Sequence, residues 1–339
     1  MSRRIHVLIN GEKFGPYAEI EFQRHLADKK ILRSDLVWRE GLTDWITAED
    51  LLQILDADRQ SSGPVSTSPQ SILEKTRATA EDGDVEQQFR FGLMLDRGEG
   101  APLNHVEGAK WIRRAAEAGH AAAAFQLSAM LAAGSGVMKD PEQSLRWLLS
   151  AGERGMAEAQ YDLGLRHANG QGVRQDDVEA LSWFQKAADA GHAVAQSSLG
   201  FMLENGRGGP RDDAGAIQWY QKAAGRGDAV SQNNLALMLA TGRGVARNEN
   251  EAARWFRQAA EQGVPGAQTN FGLLLAKGLG MAQDYVEAYK WFNLAAAQGH
   301  AAGVKNRDLV AAEMTKEQIA EAQKRSAPFM VKREPGLSR

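Results

Sequence analysis

The chain has 339 residues, of which 43% are hydrophobic and 24% are charged, a composition that predicts a soluble protein with an extended core or more than one domain. Its formal net charge of −3 gives no general electrostatic reason to bind nucleic acid or an anionic membrane surface, because both need clustered cations. We therefore expect neither as a partner.

The N-terminal residues and the cysteine content bear on the cellular compartment. The sequence contains no cysteine, which fits a reducing compartment. The apolar run Ile5–Ile9 is interrupted by His6 and is too short for a signal peptide, and no later segment is long enough to cross a bilayer. We expect a cytoplasmic protein.

Residues 1–55 are predicted to form a small α+β domain. Ile5–Ile9 alternates as a strand does, Asn10-Gly11 is a strong hairpin-turn signal, and residues 20–26 have the spacing of a helix. A further strand is expected around Leu36–Trp38, and a last helix follows it.

Short motifs in this segment match a known domain pattern. They are Gly11, Gly15-Pro16-Tyr17, Val37-Trp38-Arg39-Glu40-Gly41-Leu42 and Asp44-Trp45. Together they resemble the bacterial GYF-like domain. Eukaryotic GYF domains bind proline-rich peptides through an aromatic surface with a Gly-Tyr-Phe tripeptide, which this sequence lacks. The resemblance implies a second protein-interaction unit whose aromatic platform is Tyr17, Trp38 and Trp45. The alternative is that Trp38 and Trp45 form the core of this small domain.

Residues 56–70 are predicted to be a flexible linker. Serine, proline, threonine and glycine predominate between Ser61 and Pro69, and such compositions are flexible and partly extended.

Six tryptophans, each 36 residues from the next, dominate the rest of the chain. They are Trp111, Trp147, Trp183, Trp219, Trp255 and Trp291. Two sets of glycines keep the same step and divide each period into two segments, each long enough for a short helix. An invariant spacing of this kind indicates a repeat array. We predict an all-α solenoid of helix-turn-helix repeats over residues 71–329, followed by a tail at residues 330–339.

The second helix of each repeat has a recognisable start. One register position holds Asn104, Asp140, Asp176, Asp212, Asn248 and Asp284. Their side chains accept hydrogen bonds from the free N–H groups of a first helical turn. Five of the six are followed three residues later by Glu or Gln, which predicts the return bond of a capping box.

One complete repeat shows the motif that recurs. It comprises Ala157-Glu-Ala-Gln-Tyr-Asp-Leu-Gly164, Gly170-Gln-Gly172-Val173, Asp176, Ala180, Trp183-Phe184, Lys186-Ala187-Ala188 and Gly191. This pattern resembles the Sel1-like repeat, a relative of the tetratricopeptide repeat, and it recurs six times between about Gly83 and Gly299. The resemblance implies a curved scaffold for protein interactions.

Signatures of catalysis and of ligand binding are missing from the sequence. No His-Glu-x-x-His, Gly-x-Ser-x-Gly or Ser-x-x-Lys motif occurs, and the Gly-x-Gly pairs recur as turns without the flanking strand of a phosphate-binding fingerprint. His120, His192 and His300 lie more than a repeat apart, so a zinc site is not expected. We expect no catalytic, cofactor or metal site. The alternative is a hydrolase, for example one acting on β-lactams, with an unrecognised site between the repeats.

By resemblance to tetratricopeptide arrays, the first helix of each repeat lines a concave groove, and Leu163-Gly164 sets its phase. The predicted groove residues are Phe89, Leu93, Phe125, Tyr161, Leu165, Ser197, Phe201, Asn233, Leu237 and Thr269. Such a surface suits a peptide or protein with apolar anchors. The alternative is that Phe89, Phe125 and Tyr161 pack against the neighbouring hairpin. The oligomeric state stays open.

Limited proteolysis tests the predicted domain boundaries. A protease should cut first within residues 56–70 and release two folded pieces, because flexible segments are the preferred sites of cleavage. Mass spectrometry of the early fragments locates the cut. Early cleavage inside the tryptophan-bearing repeats would contradict the boundary.

Overall fold

The computed structural model describes residues 4–9, 12–32, 34–39, 45–61 and 69–331. The chain divides into two compact units, residues 1–75 and residues 76–339. Among the described residues, no helix combines the length and the apolar character needed to cross a membrane.

A four-stranded antiparallel sheet and two helices build the N-terminal unit. The strands are β1 (Ile5–Ile9), β2 (Glu12–Tyr17), β3 (Leu36–Arg39) and β4 (Ile46–Thr47), and their order in the sheet is β2-β1-β3-β4. The helices are α1 (Glu19–Ala27) and α2 (Ala48–Ser61). The predicted turn Asn10-Gly11 lies outside the described residues, but Ile9 pairs with Glu12 across it. The predicted α+β fold is confirmed.

One face of this sheet packs on the two helices. Ile5, Val7 and Val37 are fully buried there, together with Phe22 of α1 and Leu51 of α2. Because side chains alternate along a strand, the intervening residues lie on the opposite face. The core is therefore aliphatic apart from Phe22.

The predicted linker 56–70 is helical at both ends. Helix α2 continues to Ser61, and α3 begins at Pro69 and runs to Glu81. Residues 56–60 are Asp, Ala, Asp, Arg and Gln, several of which favour helices, which accounts for the longer α2. Residues 62–68 lie outside the described part of the chain, so their flexibility stays a prediction. The division between the two units falls within α3.

Twelve helices of 13 residues each form the six repeats, in alternating first and second helices. The first helices are α4 (Val85–Arg97), α6 (Ala121–Ala133), α8 (Ala157–Asn169), α10 (Ala193–Asn205), α12 (Ala229–Thr241) and α14 (Pro265–Lys277). The second helices are α5 (His105–Glu117), α7 (Pro141–Glu153), α9 (Asp177–Asp189), α11 (Asp213–Gly225), α13 (Glu249–Glu261) and α15 (Tyr285–Ala297). Helices α16 (Ala301–Ala311) and α17 (Lys316–Val331) follow. The predicted solenoid is confirmed.

The two helices of a repeat approach each other closely at a glycine of the first helix. A Cβ at Gly164 would lie 2.6 Å from the ring of Phe184, and a Cβ at Gly272 would lie 2.6 Å from the ring of Phe292. Gly200 stands in the same relation to Tyr220. Any larger side chain would have to push the ring away, so the glycine and the aromatic residue form one packing unit.

The predicted caps of the second helices are confirmed, but the predicted return bonds are wrong. Asp140 accepts a hydrogen bond from the Gln143 amide at 2.9 Å, and the other five caps bond in the same way. The backbone N–H of Asp140 donates instead to the carbonyl of Leu131, in the last turn of α6, at 2.9 Å. All six caps make this bond, so the first helix already supplies the acceptor that a capping box would provide.

The Gly-x-Gly turns have two separate roles. The first glycine ends the first helix in the left-handed conformation, as Gly134 does with φ of 81°. The second glycine lets the turn approach the preceding repeat: a Cβ at Gly280 would lie 2.5 Å from the Glu249 carbonyl oxygen. The turn is therefore also a contact between repeats.

A row of buried glutamines, which sequence reasoning missed, joins successive repeats. Each donates its side-chain amide to a carbonyl at the end of the preceding second helix, as Gln160 does to Gly152 at 2.9 Å. Gln196, Gln232 and Gln268 make the equivalent bond, and the half-buried Gln88 donates to Ala80 of α3. Each of these carbonyls also accepts the N–H of the hairpin glycine, as Gly152 does from Gly155 at 3.0 Å, so the glutamine supplies its second hydrogen bond. Recurrence of glutamine at one register position was the available signal.

The tryptophans differ in burial more than their regular spacing suggests. Trp111, Trp183 and Trp291 are buried, whereas Trp147, Trp219 and Trp255 are half-buried. Trp183 lies against Gly152 of the preceding repeat, while Trp111 and Trp291 pack edge-on against Phe91 and Phe271. Equal spacing along the sequence therefore does not give equal burial.

Replacing these two tryptophans should have unequal effects. Trp183→Ala should lower the free energy of unfolding by ~3–5 kcal/mol, as truncation of a buried aromatic does. Trp219→Ala should cost roughly half as much, because less apolar surface leaves the core. Chemical denaturation of both variants measures the difference. Losses below ~1 kcal/mol for both would contradict this packing.

Candidate interaction face

The first helices together present one surface, the first-helix face, which holds most of the predicted groove residues. A cavity of about 370 Å³ lies on it where α8, α10 and α12 meet. Leu165 of α8, Ser197 and Phe201 of α10, and Val230 and Asn234 of α12 line it. Three of these, Leu165, Ser197 and Phe201, were predicted from the repeat register.

Large apolar side chains at this cavity are exposed to solvent. Phe201 is 47% exposed and Val230 is 55% exposed, and Val194 beside them is also exposed. Single exposed apolar residues are common on protein surfaces, but a group of them around a recess is typical of a binding site.

The charged groups around this cavity have hydrogen-bond partners within the protein. Arg207 donates two hydrogen bonds to Asp177, at 2.6 and 3.1 Å. The bond from Arg207 holds the pKa of the Asp177 carboxyl below its ordinary value. Asp228 caps α12 by accepting from the Ser231 amide at 2.7 Å. The free contacts of the cavity are therefore apolar groups, hydroxyls and amides.

A second cavity, of about 410 Å³, lies on the same face between α6 and α8. Phe125 and Ala129 of α6 line it, with Asp162 and Arg166 of α8. Phe125, another predicted groove residue, therefore faces a recess. The first-helix face carries recesses along four consecutive repeats.

Arg166 occupies a position that belongs to the core in the other repeats. Its register equivalents are Met94, Met130, Met202, Met238 and Leu274, all of which are buried. The Nε atom of Arg166 is buried without a hydrogen bond and lies 3.5 Å from Asp162 Oδ1. This departure from an apolar register is visible in the sequence.

Other predicted groove residues pack largely against the neighbouring repeat. The ring of Phe89 lies 4.7 Å from that of His120, and the ring of Tyr161 stacks on His192 at 4.6 Å. For these two residues the alternative of packing against the next hairpin is correct, although both remain half-buried. Leu93 and Asn233 are also half-buried, and Leu237 is exposed.

Two of the three histidines that follow the hairpin glycines, His120 and His192, cap the next helix with their side chains. His120 Nδ1 accepts from the Ala123 amide at 3.1 Å, and its Nε2 bonds Glu86 at 2.8 Å. His192 caps α10 in the same way through the Ala195 amide. Across the residues that the structure describes, no group of three metal-ligating side chains occurs.

Thr269 was wrongly placed in the groove. It is 3% exposed, and its hydroxyl lies 3.0 Å from the Pro265 carbonyl and 3.0 Å from His300 Nδ1. A side chain enclosed in this way cannot contact a partner.

The predicted aromatic platform of the N-terminal unit is divided between the two faces of its sheet. Trp38 pairs across the strands with His6, on the face opposite the core, with ring centroids 5.9 Å apart. Trp45, just before β4, lies under Lys13 at 5.9 Å. Both tryptophans are half-buried, so the alternative that they form the core is wrong.

Tyr17 lies apart from these two tryptophans. It pairs with Ile5, packs on the core and meets the His25 ring edge-on at 5.0 Å. Strand alternation explains the separation, because the neighbours Ile5 and His6 must point to opposite faces.

Comparison with protein families gives two matches. The Sel1 repeat matches residues 88–120, 121–156, 157–192, 193–228, 229–264 and 265–300. The GYF domain 2 matches residues 6–53. Comparison with curated proteins found no match.

Two solved structures share much of this architecture. A Sel1 repeat protein from Oxalobacter formigenes is 31% identical, and the match covers 74% of this chain and 100% of that chain with a TM-score of 0.55. A protective antigen of uropathogenic Escherichia coli strains, with an SLR fold, is 28% identical; the match covers 79% of this chain and 68% of that chain with a TM-score of 0.56.

Replacing Arg166 with methionine should stabilise the protein. Arg166→Met removes a buried nitrogen that has no hydrogen bond and installs the residue found at four equivalent positions, so unfolding should need about 1 kcal/mol more. Denaturant titration measures the change. The exposed loop variant Arg174→Met is the control and should be nearly neutral. A loss of stability in Arg166→Met would show that the guanidinium contributes to the fold.

Proposed function

Because the chain belongs to the Sel1 repeat family, whose members are generally protein-interaction scaffolds, we propose that it is a non-enzymatic adaptor that binds a protein or peptide on its first-helix face. The observation that carries this proposal is the cavity at α8, α10 and α12, where apolar side chains stand exposed around a recess. The absence of cysteine supports a cytoplasmic location.

The exposed side chains of this cavity offer binding energy that folding leaves unused. Complete burial of a valine or phenylalanine is worth about 1.5–3 kcal/mol, and about half of each of Phe201 and Val230 remains exposed. A partner that inserts apolar anchors would cover them. Aromatic residues in such positions are frequent hot spots of binding.

The polar groups of the same face suit a peptide main chain. Ser197 bonds Ser231, and the Asn233 side chain links Asn234 and Asn270 at 3.2 and 3.4 Å. Hydroxyls and amides carry donors and acceptors without charge, and each can bond more than one group. The favoured partner is therefore an extended or helical peptide segment with apolar anchors.

The N-terminal unit is proposed to be a second interaction module. Trp38, Trp45 and His6 lie on the sheet face that is free of core packing, and aromatic surfaces suit proline-containing peptides. Tyr17 is not part of this surface. Two modules on one chain would increase the apparent affinity for a partner that reaches both.

Truncating Phe201 should change the affinity for a partner much more than it changes the stability of the fold. Phe201→Ala should weaken partner binding by at least ~2 kcal/mol, roughly 30-fold, yet change stability little because the ring is 47% exposed. The partner is captured from a cell extract by cross-linking to the full chain, and its affinity is then measured by calorimetry.

The matched control is Val178→Ala, which truncates an apolar residue of second helix α9 that is 64% exposed. It should leave affinity unchanged. If Phe201→Ala binds the partner as tightly as the unaltered chain does, the first-helix face is not the binding surface.

A further inference from the structure

A larger recess lies among the second helices, near the end of the array. It has a volume of about 630 Å³ and lies between α13 and α15. Apolar walls come from Phe271 and Leu275 of α14, Met281 and Trp291, and Phe329 of α17 closes one side. Because α17 follows the last repeat, its Phe329 adds an aromatic wall to the recess between the last two second helices, α13 and α15.

A buried cation is built into the wall of this recess. Lys290 is 8% exposed, and its ammonium lies 4.4 Å from the ring centroid of Trp291 and 4.8 Å from that of Phe329. It donates to Glu287 at 2.5 Å. An ammonium is costly to bury, and the carboxylate and the two ring faces together offset that cost. Lys290 is thus already neutralised and serves to order the two rings.

The arginines of the recess differ in whether they have partners. Arg257 is paired with Glu261 at 2.8 Å. Arg254, one turn earlier on α13, makes no hydrogen bond or ion pair with any described residue. One guanidinium of the lining is therefore available to an anion.

An unsatisfied donor lies in the same lining. Trp291 is 2% exposed, and its indole Nε1 is buried with no acceptor among the described residues. A buried donor without a partner costs about 1–3 kcal/mol, so such groups are rare. An oxygen atom from a bound molecule would satisfy this donor after a small shift of the Trp291 ring or of a neighbouring side chain, because the atom itself is buried.

We propose that this recess binds a monocarboxylate with an apolar body, such as an aryl- or alkyl-carboxylic acid. The carboxylate pairs with Arg254 and accepts the Trp291 N–H, and the hydrocarbon packs between Met281 and Phe329. One unpaired guanidinium matches one negative charge, and the remaining cations already have carboxylate partners. This site is independent of the first-helix face.

The probe is 3-phenylpropionate, titrated into the full chain by calorimetry, with the neutral 3-phenylpropanamide as its comparison. The acid should bind at least tenfold more tightly than the amide, because only the acid carries the charge that pairs with Arg254. In a tryptophan-¹⁵N-labelled sample, one indole N–H signal should move downfield as Trp291 gains an acceptor.

Arg254→Gln should weaken binding of the acid at least tenfold and leave the amide unaffected. The matched control is Arg146→Gln, at the same register position three repeats earlier, where the arginine pairs with Glu142. Phe329→Ala should weaken both ligands because it removes an apolar wall. Equal binding of acid and amide, equal binding by Arg254→Gln and the unaltered chain, or no binding at millimolar acid would each overturn the proposal.

Discussion

The close contact between a glycine of the first helix and a large side chain of the second helix is the constraint on which four of the six repeats depend. Gly164 with Phe184, Gly200 with Tyr220 and Gly272 with Phe292 set the distance between the two helices. At that distance the cap N–H of the second helix reaches a carbonyl of the first, which closes the hairpin with a main-chain bond. A repeat is therefore held together by steric fit and main-chain bonding, and both leave the outer residues free to vary.

In one repeat that departs from this pattern, other residues fill the space between the two helices. Ser128 replaces the glycine in one repeat and faces Ser144, with their hydroxyls 3.1 Å apart, and the aromatic position holds Leu148. A smaller partner compensates for the added side chain, as packing at crystal-like density requires. In this repeat both sides of the contact therefore change together.

The junctions between repeats are more polar than the interiors of the hairpins. The glutamine row and the second glycine of each turn join neighbours, and Arg207 bridges to Asp177, the first residue of α9 in the preceding repeat. Such bonds are directional, so they fix the rotation from one repeat to the next. That rotation brings Leu165, Phe201 and Val230, from three different helices, to one cavity. The proposed partner site thus depends on contacts that are remote from it.

The sequence by itself determined the repeat, its period, the helix caps and the family, because these follow from local chemistry recurring at a fixed spacing. It also placed Leu165, Ser197 and Phe201 on one face, since helical phase is a local property. Only the tertiary structure decided which of the equivalent repeat positions are exposed to solvent: Thr269 is enclosed, and Trp219 is less buried than Trp183. It also decided that Tyr17 lies on the opposite face of the sheet from Trp38. The recess at Trp291 likewise needs Phe329, which lies outside the repeats. A register position specifies the direction in which a side chain points, but it does not specify the residue that the side chain meets. Burial depends on that residue, which comes from a distant segment of the chain.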